Sequence, residues 1–309
     1  MTVQRCGIVG RADDEQVASV RRRLRERGVD PYLLDLSEFP SGRVLSLWDG
    51  SPADAEPVGV GDVRTWYVRS APLPLPFFPG RGDSTHAERR VAYAGGRERR
   101  SFAFGFLRAL EHGGARMANS PTTFGQHFVK LEQLQALRHA RVPVPRTLAT
   151  NDPRALIDFA RGAEAPIVYK PLAGGALCRR LTSADLLPNR LALLAGAPVL
   201  FQEEVPGTNI RVYVVDDRVA ASYEIVSDRL DYRGAETAVH PTEPGADEAV
   251  ACLAAARACG MTFTGIDIRR REDRTFAVLE CNPSPMFAAI ERRTGAEPVT
   301  TALADFLAQ

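Results

Sequence analysis

The chain has 309 residues, of which 45% are hydrophobic and 25% are charged, which is the composition of an ordinary globular protein. A chain of this length predicts two or three packed subdomains rather than one simple core. The formal net charge of +1 carries no signature of a nucleic-acid binder, and no apolar run reaches the length of a membrane span. Neither nucleic acid nor a membrane is therefore an expected partner.

The cysteine content indicates a reducing compartment. The five cysteines are scattered, odd in number and without the spacing of metal ligands, which is typical of reduced thiols. The N-terminal residues have the pattern of a strand rather than that of a signal peptide. A cytoplasmic protein is expected.

The first third of the chain alternates strands and helices. Residues 6–10 are predicted to form a strand, and a helix with apolar residues at helical spacing follows and ends at Gly28. Residues 32–36 and 64–69 are the next predicted strands. Residues 69–82 contain four prolines, so they cannot form a helix or a central strand. The order of elements predicts a small α/β domain with a largely parallel sheet.

A run of charged residues at 97–100 precedes an apolar segment at 102–110 that is predicted to be helical. We interpret the charged run as the solvated start of that helix rather than as an anion site. A second helical stretch at 121–139 carries Lys130, and a proline-containing linker follows at 142–145.

The rest of the chain is richer in β-structure. Short strands are predicted at 147–150, 167–171 and 199–205, and a helix that opens with Pro153 follows the first of them. Four longer strands follow, and an Ala-rich helix at 246–259 divides them. The predicted long strands lie at 211–215, 218–226, 263–269 and 275–282.

Lysine is almost absent from this arginine-rich chain. Of 39 lysines and arginines, only Lys130 and Lys170 are lysines. An ammonium is a compact charge that fits between phosphate oxygens, whereas a guanidinium is a planar fork. Lys170 ends a predicted strand just before Gly174 and Gly175, where a backbone without Cβ atoms can approach a phosphate closely. A nucleotide site is predicted here, with leftover surface lysines and a plain glycine turn as the alternatives.

Three oxygen-bearing side chains mark the last two predicted strands. Glu280 and Asn282 are two residues apart, so they point to one face of a strand. Asp267 lies on the preceding strand and reaches the same face if the two strands pair as a hairpin. Two carboxylates and one amide suit Mg²⁺, which is usually shared with substrate phosphates. The alternative is that these side chains are solvated positions of a hairpin. That alternative is less favoured for Glu280 and Asn282, because the residues before Glu280 are apolar and a carboxylate there should be buried or functional.

Together these features resemble the ATP-grasp superfamily and, within it, the RimK-like carboxylate–amine ligases. The resemblance covers most of the chain and is most specific at residues 265–267, 279–285 and 291–295. It implies an α/β ATP-grasp fold, in which a small N-terminal parallel-sheet α/β domain precedes two α+β subdomains that sandwich ATP. The three parts are expected at residues 1–118, 119–205 and 206–309.

The resemblance also implies roles for particular residues. Phosphate contacts are expected from Lys130, Lys170, Gly174 and Gly175, adenine contacts from Gln202, Glu203, Glu204 and Val205, and a ribose contact from Asn209, which stands where the family usually has Asp. Arg211 and Arg233 are the expected catalytic residues, acting on the γ-phosphate, the acyl phosphate or the acceptor carboxylate. Asp267, Glu280 and Asn282 are expected to hold Mg²⁺ or Mn²⁺. For Arg233, a surface hairpin arginine is the alternative.

A finer resemblance concerns the substrate. Residues 62–69, 147–153 and 231–233 are similar to ATP-grasp ribosomal-peptide maturases, the graspetide synthetases, which join Asp or Glu side chains of a precursor peptide to Ser, Thr or Lys. Residues 283–287 are closer to other RimK-like ligases. A peptide maturase that forms ADP is the main hypothesis. A ligase for free amino acids or another small carboxylate and a non-catalytic ATP-binding module are alternatives, and a homo-oligomer is left open.

Overall fold

The computed structural model describes residues 5–37, 39–54, 59–73, 85–173, 175–232 and 235–309. Two predicted site residues, Gly174 and Arg233, lie outside these ranges, as does most of the proline-rich segment. Within the described ranges, no helix is both long enough and apolar enough to cross a membrane.

The chain forms two compact units. Unit one comprises Met1–Phe124, Met286–Arg292 and Ala296–Gln309, and unit two comprises Gly125–Pro285 and Arg293–Gly295. This grouping differs from the three parts expected from the sequence, and the three-part division at 1–118, 119–205 and 206–309 stays a prediction.

Unit one is built on a parallel sheet of β1 (Arg5–Val9), β2 (Tyr32–Leu34), β5 (Val63–Val68) and β6 (Arg116–Ala118), in the order β2-β1-β5-β6. The sequence predicted a largely parallel sheet with the first three of these strands, and β6 was not predicted. A separate hairpin of two short strands, which the sequence reasoning missed, lies between β2 and β5 in the chain. Trp66, Phe106 and Leu107 are fully buried in the core of this unit. Its elements are β1 (Arg5–Val9), α1 (Glu15–Glu26), β2 (Tyr32–Leu34), β3 (Leu45–Trp48), β4 (Ser51–Asp54), β5 (Val63–Val68), α2 (His86–His112) and β6 (Arg116–Ala118).

Helix α2 is longer than predicted. It begins after Thr85, whose side chain accepts a hydrogen bond from the backbone of Glu88 while the Glu88 carboxylate binds the Thr85 N–H. This capping box fixes the helix start. The charged residues 97–100 therefore lie inside the helix, which corrects their interpretation as its start. Arg97, Glu98 and Arg99 have exposed side chains and Arg100 a partly exposed one, while Phe106 and Leu110 face the core.

Two C-terminal helices were not predicted: α7 (Ala288–Thr294), which belongs to unit one up to Arg292, and α8 (Pro298–Leu307), which belongs to unit one entirely. The numbers follow the chain, because α3 to α6 belong to unit two. The buried Gln16 carboxamide accepts hydrogen bonds from the Phe287 and Ala288 N–H groups at the start of α7. Glu291 accepts from the Val299 and Thr300 N–H groups at the start of α8. These buried side chains satisfy helix-end donors that would otherwise lack partners.

Unit two contains a four-stranded antiparallel sheet in the order β7-β10-β8-β9 and a five-stranded antiparallel sheet in the order β13-β12-β11-β14-β15. Its elements are α3 (Lys130–His139), β7 (Thr147–Thr150), α4 (Pro153–Arg161), β8 (Ile167–Lys170), β9 (Arg179–Arg180), α5 (Pro188–Leu191), β10 (Val199–Glu203), β11 (Thr208–Val215), β12 (Arg218–Val226), β13 (Ala238–Pro241), α6 (Ala246–Ala258), β14 (Phe263–Arg270) and β15 (Phe276–Asn282). Side chains of α3 and α6 and of the larger sheet share one apolar core.

The predicted helix at 121–139 is two elements. Pro121–His127 forms a 3₁₀ helix, and α3 starts only at Lys130. Between them, Val129 has an extended φ of −123°, which a β-branched residue adopts readily. Lys130 is therefore the first residue of α3 rather than an interior one.

Candidate active site

The predicted metal residues lie on paired strands of the five-stranded sheet. Asp267 on β14 is directly opposite Glu280 on β15, and on its other side it is opposite Arg211 on β11. Asn282 is opposite Gly265, and its amide Nδ2 lies 3.4 Å from Asp267 Oδ2. Because directly opposite residues of antiparallel strands share a face, the hairpin expected from the sequence does bring these side chains together.

A β-bulge sets the direction of Glu280. The register shifts between Asp267 and Ile268, so that Asp267 pairs with Glu280 but Ile268 pairs with Val278. Strict alternation would place residues 278 and 280 on one face. The bulge at Leu279 instead leaves Val278 fully buried in the core and directs Glu280 to the opposite face.

Glu280 is held by a lysine from α3. Lys130 Nζ donates a hydrogen bond of 2.6 Å to Glu280 Oε1, and the two side chains are 11% and 22% exposed. Burial by itself would raise the pKa of Glu280, but attraction to Lys130 and Lys170 outweighs burial and lowers that pKa. Glu280 is therefore a stable anion beside two ammonium groups.

Lys170, at the end of β8, belongs to the same charge cluster. Its burial lowers the pKa of its ammonium, the Glu280 carboxylate opposes that shift, and the neighbouring Lys130 adds to it. The charge of Asp267 also reaches Lys170, but Asp267 is paired with Arg211, so two lysines and one arginine stand against two carboxylates and one positive charge is in excess in a poorly solvated place. An anion such as a phosphate would compensate that charge.

A second network fixes Asp267. Arg211 Nε donates to Asp267 Oδ1 at 2.7 Å and Arg211 Nη2 donates to Oδ2 at 3.1 Å. The Tyr232 hydroxyl donates to Asp267 Oδ1 at 2.6 Å and accepts from Arg211 Nη2 at 2.8 Å. Tyr232 thus bridges a predicted metal ligand and a predicted catalytic arginine, a role that the sequence reasoning did not assign.

Gly265 makes room for this network. A Cβ atom at this position would lie 2.9 Å from Arg211 Nη1 and 2.6 Å from Pro285 Cβ. Any larger residue would displace the guanidinium or the proline ring. Close packing against Arg211 and Pro285 therefore explains why a glycine precedes Ile266 and Asp267.

The donor set fits a hard divalent cation. In the described part of the chain, no three His, Cys, Asp or Glu side chains form a metal cluster. Asp267, Glu280 and Asn282 offer two carboxylates and one amide, so further oxygen ligands would have to come from water or a nucleotide, as Mg²⁺ commonly accepts. Asp267 and Glu280 are only about one-fifth exposed and lie on neighbouring strands, which suits a shared cation.

The predicted adenine segment, Gln202–Val205, comprises the last two residues of β10 and the two residues after it, and many of its polar groups already bind other parts of the protein. The Glu203 and Glu204 N–H groups donate to the carbonyls of Arg146 at 3.0 Å and Pro166 at 2.6 Å. Gln202 is buried, and its amide donates to Thr147 Oγ1 at 3.0 Å. Adenine binding here stays a prediction, and it has to use groups other than these.

Asn209, the predicted ribose contact, is also held within the sheet. Its Nδ2 donates to the Ile225 carbonyl at 3.3 Å, and its Oδ1 accepts from Arg269 Nη1 at 2.6 Å. Arg269 Nε donates in addition to the Val205 carbonyl at 2.9 Å. Asn209 therefore lies beside the predicted adenine segment, and its ribose role stays a prediction.

The loop after β8 is linked to the Tyr232 segment. The Cys178 N–H donates to Asp231 Oδ2 at 3.0 Å. Gly175 has a φ of +87°, which favours glycine. The phosphate role of the loop and the catalytic role of Arg233 stay predictions, because Gly174 and Arg233 are outside the described residues.

Gln133 is a second residue that the sequence reasoning missed. It is 4% exposed and binds the backbone of Cys281, the residue between Glu280 and Asn282. The only sequence signal was its position, three residues after Lys130, which places both side chains on one side of α3.

Comparison with known proteins identifies the family. The family model of the RimK-like ATP-grasp domain matches residues 129–306, more than half of the chain. The chain belongs to the RimK-like ATP-grasp family. The family and fold class expected from the sequence are thereby confirmed.

Curated relatives of this RimK-like chain are named as glutamate ligases. A "Probable alpha-L-glutamate ligase 2" of Shewanella amazonensis is 30% identical over 207 residues, which cover 62% of this chain and 68% of the relative. A "Probable alpha-L-glutamate ligase 1" of Shewanella baltica is 31% identical over 204 residues, covering 61% and 66%. The chain thus matches only about two thirds of the length of these relatives.

Solved structures match the whole chain. The ATP-grasp ligase PsnB, in complex with a phosphomimetic variant of its minimal precursor, Mg and ADP, has a TM-score of 0.84 and 35% identity, covering 99% of this chain and 98% of PsnB. The macrocyclase MdnC of Microcystis aeruginosa, bound with the precursor peptide MdnA, has a TM-score of 0.79 and 22% identity, covering 98% and 99%. The likeness to MdnC shows the fold alone. The expectation of an enzyme of the ATP-grasp ligase class is confirmed by these relatives and by the family match.

Proposed function

We propose that this RimK-like chain is an ATP-dependent peptide maturase that activates a carboxylate of a precursor peptide and joins it to an amine or a hydroxyl. The whole-chain likeness to PsnB, a ligase solved with its precursor, carries this proposal. The glutamate ligases, in contrast, match only part of the chain.

The reaction needs ATP because a carboxylate has no good leaving group. Transfer of the γ-phosphoryl group to a carboxylate oxygen gives an acyl phosphate and ADP. The nucleophile then displaces phosphate, its proton is released, and the net product has lost one water per bond. Phosphoryl transfer depends mainly on positioning and on neutralisation of charge.

The residues of the site supply that charge. We assign Lys130 and Lys170 to phosphate oxygens, because Lys130 is bonded to Glu280, Asp267 is paired with Arg211, and the cluster of these groups with Lys170 keeps one positive charge in excess. Arg211, which Asp267 and Tyr232 hold in one orientation, is assigned to the transferred phosphoryl group or the acceptor carboxylate. Arg233 and the Gly174–Gly175 loop keep their predicted roles.

Asp267, Glu280 and Asn282 are the residues that would hold Mg²⁺, which, when bound, offsets the charge of the nucleotide phosphates. The PsnB structures contain Mg and ADP, which supports the proposal that this chain also binds Mg²⁺ together with a nucleotide. Mn²⁺ prefers similar oxygen ligands, and we propose that it can replace Mg²⁺.

The test is incubation of the purified chain with a candidate acidic precursor, ATP and Mg²⁺. We expect ADP and phosphate, with a peptide product lighter by one water for each bond. Release of pyrophosphate would contradict the acyl-phosphate route. Docking of an acidic peptide should also weaken steeply with salt, whereas an enclosed small substrate should be less affected.

The second candidate is a ligase for free amino acids, which the partial likeness to the glutamate ligases favours. Turnover with free amino acids and without any precursor would establish it and exclude the maturase. Absence of nucleotide turnover with either substrate class, together with intact ATP binding, would favour the non-catalytic module.

A further inference from the structure

The buried Gln133 carboxamide forms a two-way contact with one residue of β15. Its Nε2 donates to the Cys281 carbonyl at 2.8 Å, and its Oε1 accepts from the Cys281 N–H at 2.9 Å. Gln133 is 4% exposed and Cys281 is 1% exposed, so both bonds are shielded from water. A buried polar contact of this kind is costly to break, because both backbone groups would lose their partners.

The contact lies on the outer side of β15, where the described part of the chain has no further strand. β15 is the last strand in the order β13-β12-β11-β14-β15, so its outer backbone groups need partners from elsewhere. Pro143 supplies one, since its carbonyl accepts from the Val278 N–H at 2.8 Å. The Gln133 side chain supplies a second partner, at Cys281. Cys281 follows the bulge and lies between Glu280 and Asn282, the two predicted metal ligands of this strand.

Helix α3 therefore holds β15 at successive residues. Lys130 binds the Glu280 side chain, and Gln133, one turn further along α3, binds the Cys281 backbone. On the other side of the strand, the buried Thr264 hydroxyl donates to the Asn282 carbonyl at 3.0 Å. Rotation of the Cys281 peptide groups would turn Glu280 and Asn282 away from Asp267.

We infer that Gln133 is a positioning residue for the divalent-cation site, which acts through the Cys281 backbone to aim Glu280 and Asn282. This inference rests on the proposed function, since that function requires a cation on these residues. A carboxamide suits the task because it offers a donor and an acceptor in one plane. Glutamate keeps only the acceptor, and methionine, of similar length, keeps neither.

The experiment compares Gln133→Met with the control Gln126→Met in the full chain. Gln126 also donates from its side-chain amide to a backbone carbonyl, that of Cys259 at 2.7 Å, but among the described residues none of its hydrogen bonds reaches β15. ADP affinity is measured by calorimetry with Mg²⁺ and with EDTA, beside thermal melts. Gln133→Asn, which keeps a donor and an acceptor on a stem shorter by one carbon and adds no charge, is the milder variant that keeps the folded state accessible.

In Gln133→Met, we expect the gain in ADP affinity on adding Mg²⁺ to fall about tenfold, with little change in EDTA. Gln133→Asn should lose less, and Gln126→Met should keep the gain even if its melting temperature falls. A Gln133→Met protein that melts lower but keeps the full gain would show that Gln133 only covers the strand edge, which overturns the inference. If the wild-type chain shows no gain with Mg²⁺, the proposed function fails and the inference fails with it.

Discussion

Charged pairs occur in two regions of unit two, and the regions differ in how far the cationic side chains are buried. On the site face, defined as Arg211, Asp267, Glu280 and Asn282 with the two lysines, both partners are shielded: Arg211 and Asp267 are 14% and 18% exposed. On the strand end at Gln202–Val205, the carboxylate is shielded but its arginine is not: in the Arg180–Glu204 pair, Glu204 is 12% exposed and Arg180 is 62% exposed. Hydrogen-bond lengths are alike in both regions.

The difference shows how to weigh an ion pair. A solvated arginine loses little when its partner is removed, because water replaces the carboxylate. A shielded cation that loses its partner keeps an uncompensated charge. The pairs of the site face should therefore control both stability and chemistry, whereas those at Gln202–Val205 should control neither strongly.

The largest expected effect comes from Lys170→Arg. The planar guanidinium is too wide for a shielded place shaped around an ammonium, so phosphate contacts should be misplaced. We expect turnover of ATP to fall roughly 100- to 1000-fold with the fold intact. The measurement is ADP formation beside a thermal melt, and near-normal turnover would contradict the importance of the ammonium.

Glu280→Gln tests the other side of the same cluster. The variant removes the partner of Lys130 and one charge from the proposed cation site. We expect the Mg²⁺-dependent part of nucleotide affinity to fall roughly 100-fold and the metal-free part to change much less. Nucleotide titrations with and without Mg²⁺ measure this directly. An unchanged dependence on Mg²⁺ would remove Glu280 from the proposed ligands.

Tyr232→Phe should have a smaller effect. The variant keeps the ring but removes the hydroxyl that bridges Arg211 and Asp267. Because Arg211 still binds Asp267 directly, we expect a loss of about 1 kcal/mol in the free energy of unfolding and only a modest fall in turnover. Denaturant unfolding and ADP formation are the measurements. A loss of turnover as large as that of Lys170→Arg would show that the tyrosine itself touches the substrate.

The last two variants belong to two matched Arg–Glu pairs outside the site face, so we expect them to leave turnover unchanged and to affect stability only. Arg270 binds Glu248 through two bonds of 2.6 Å, with 12% and 4% of the side chains exposed, and the Glu248 carboxylate also accepts from the Gly245 N–H. Glu248→Gln should cost about 2 kcal/mol of unfolding free energy. Glu204→Gln, whose partner Arg180 is exposed, should leave the melting temperature unchanged. Equal losses of stability in the two variants would contradict the expectation that an ion pair with both partners shielded contributes more than one with an exposed arginine.

The Glu248 pair also has a pH signature. Burial raises the pKa of Glu248, but the bonds from Arg270 and Gly245 outweigh burial, so the folded-state pKa lies below the ordinary value of 4.5. The pair then stabilises the fold above that value and loses its contribution as the pH falls through the folded pKa. Thermal melts on the acid side should show a smaller drop for Glu248→Gln than for the wild-type chain.

The sequence alone predicted the family, the parallel sheet of unit one and the pairing of the strands that carry Asp267 and Glu280. Those features depend on local signals: a period of two along strands, glycine and proline at element ends, and motifs that lie close together in the chain. The scarcity of lysine marked Lys130 and Lys170 without any structural information. The start of α2 was missed although its signal, the Thr85–Glu88 capping box, was visible.

Tertiary structure decided the rest. The bulge at Leu279 reverses the alternation that the sequence implies, so the direction of Glu280 depends on register with β14. Gln133 meets Cys281, and Tyr232 meets Arg211 and Asp267, only after distant segments pack together. No local pattern encodes such contacts, because the partners are chosen by packing across strands and helices rather than by neighbours in the chain.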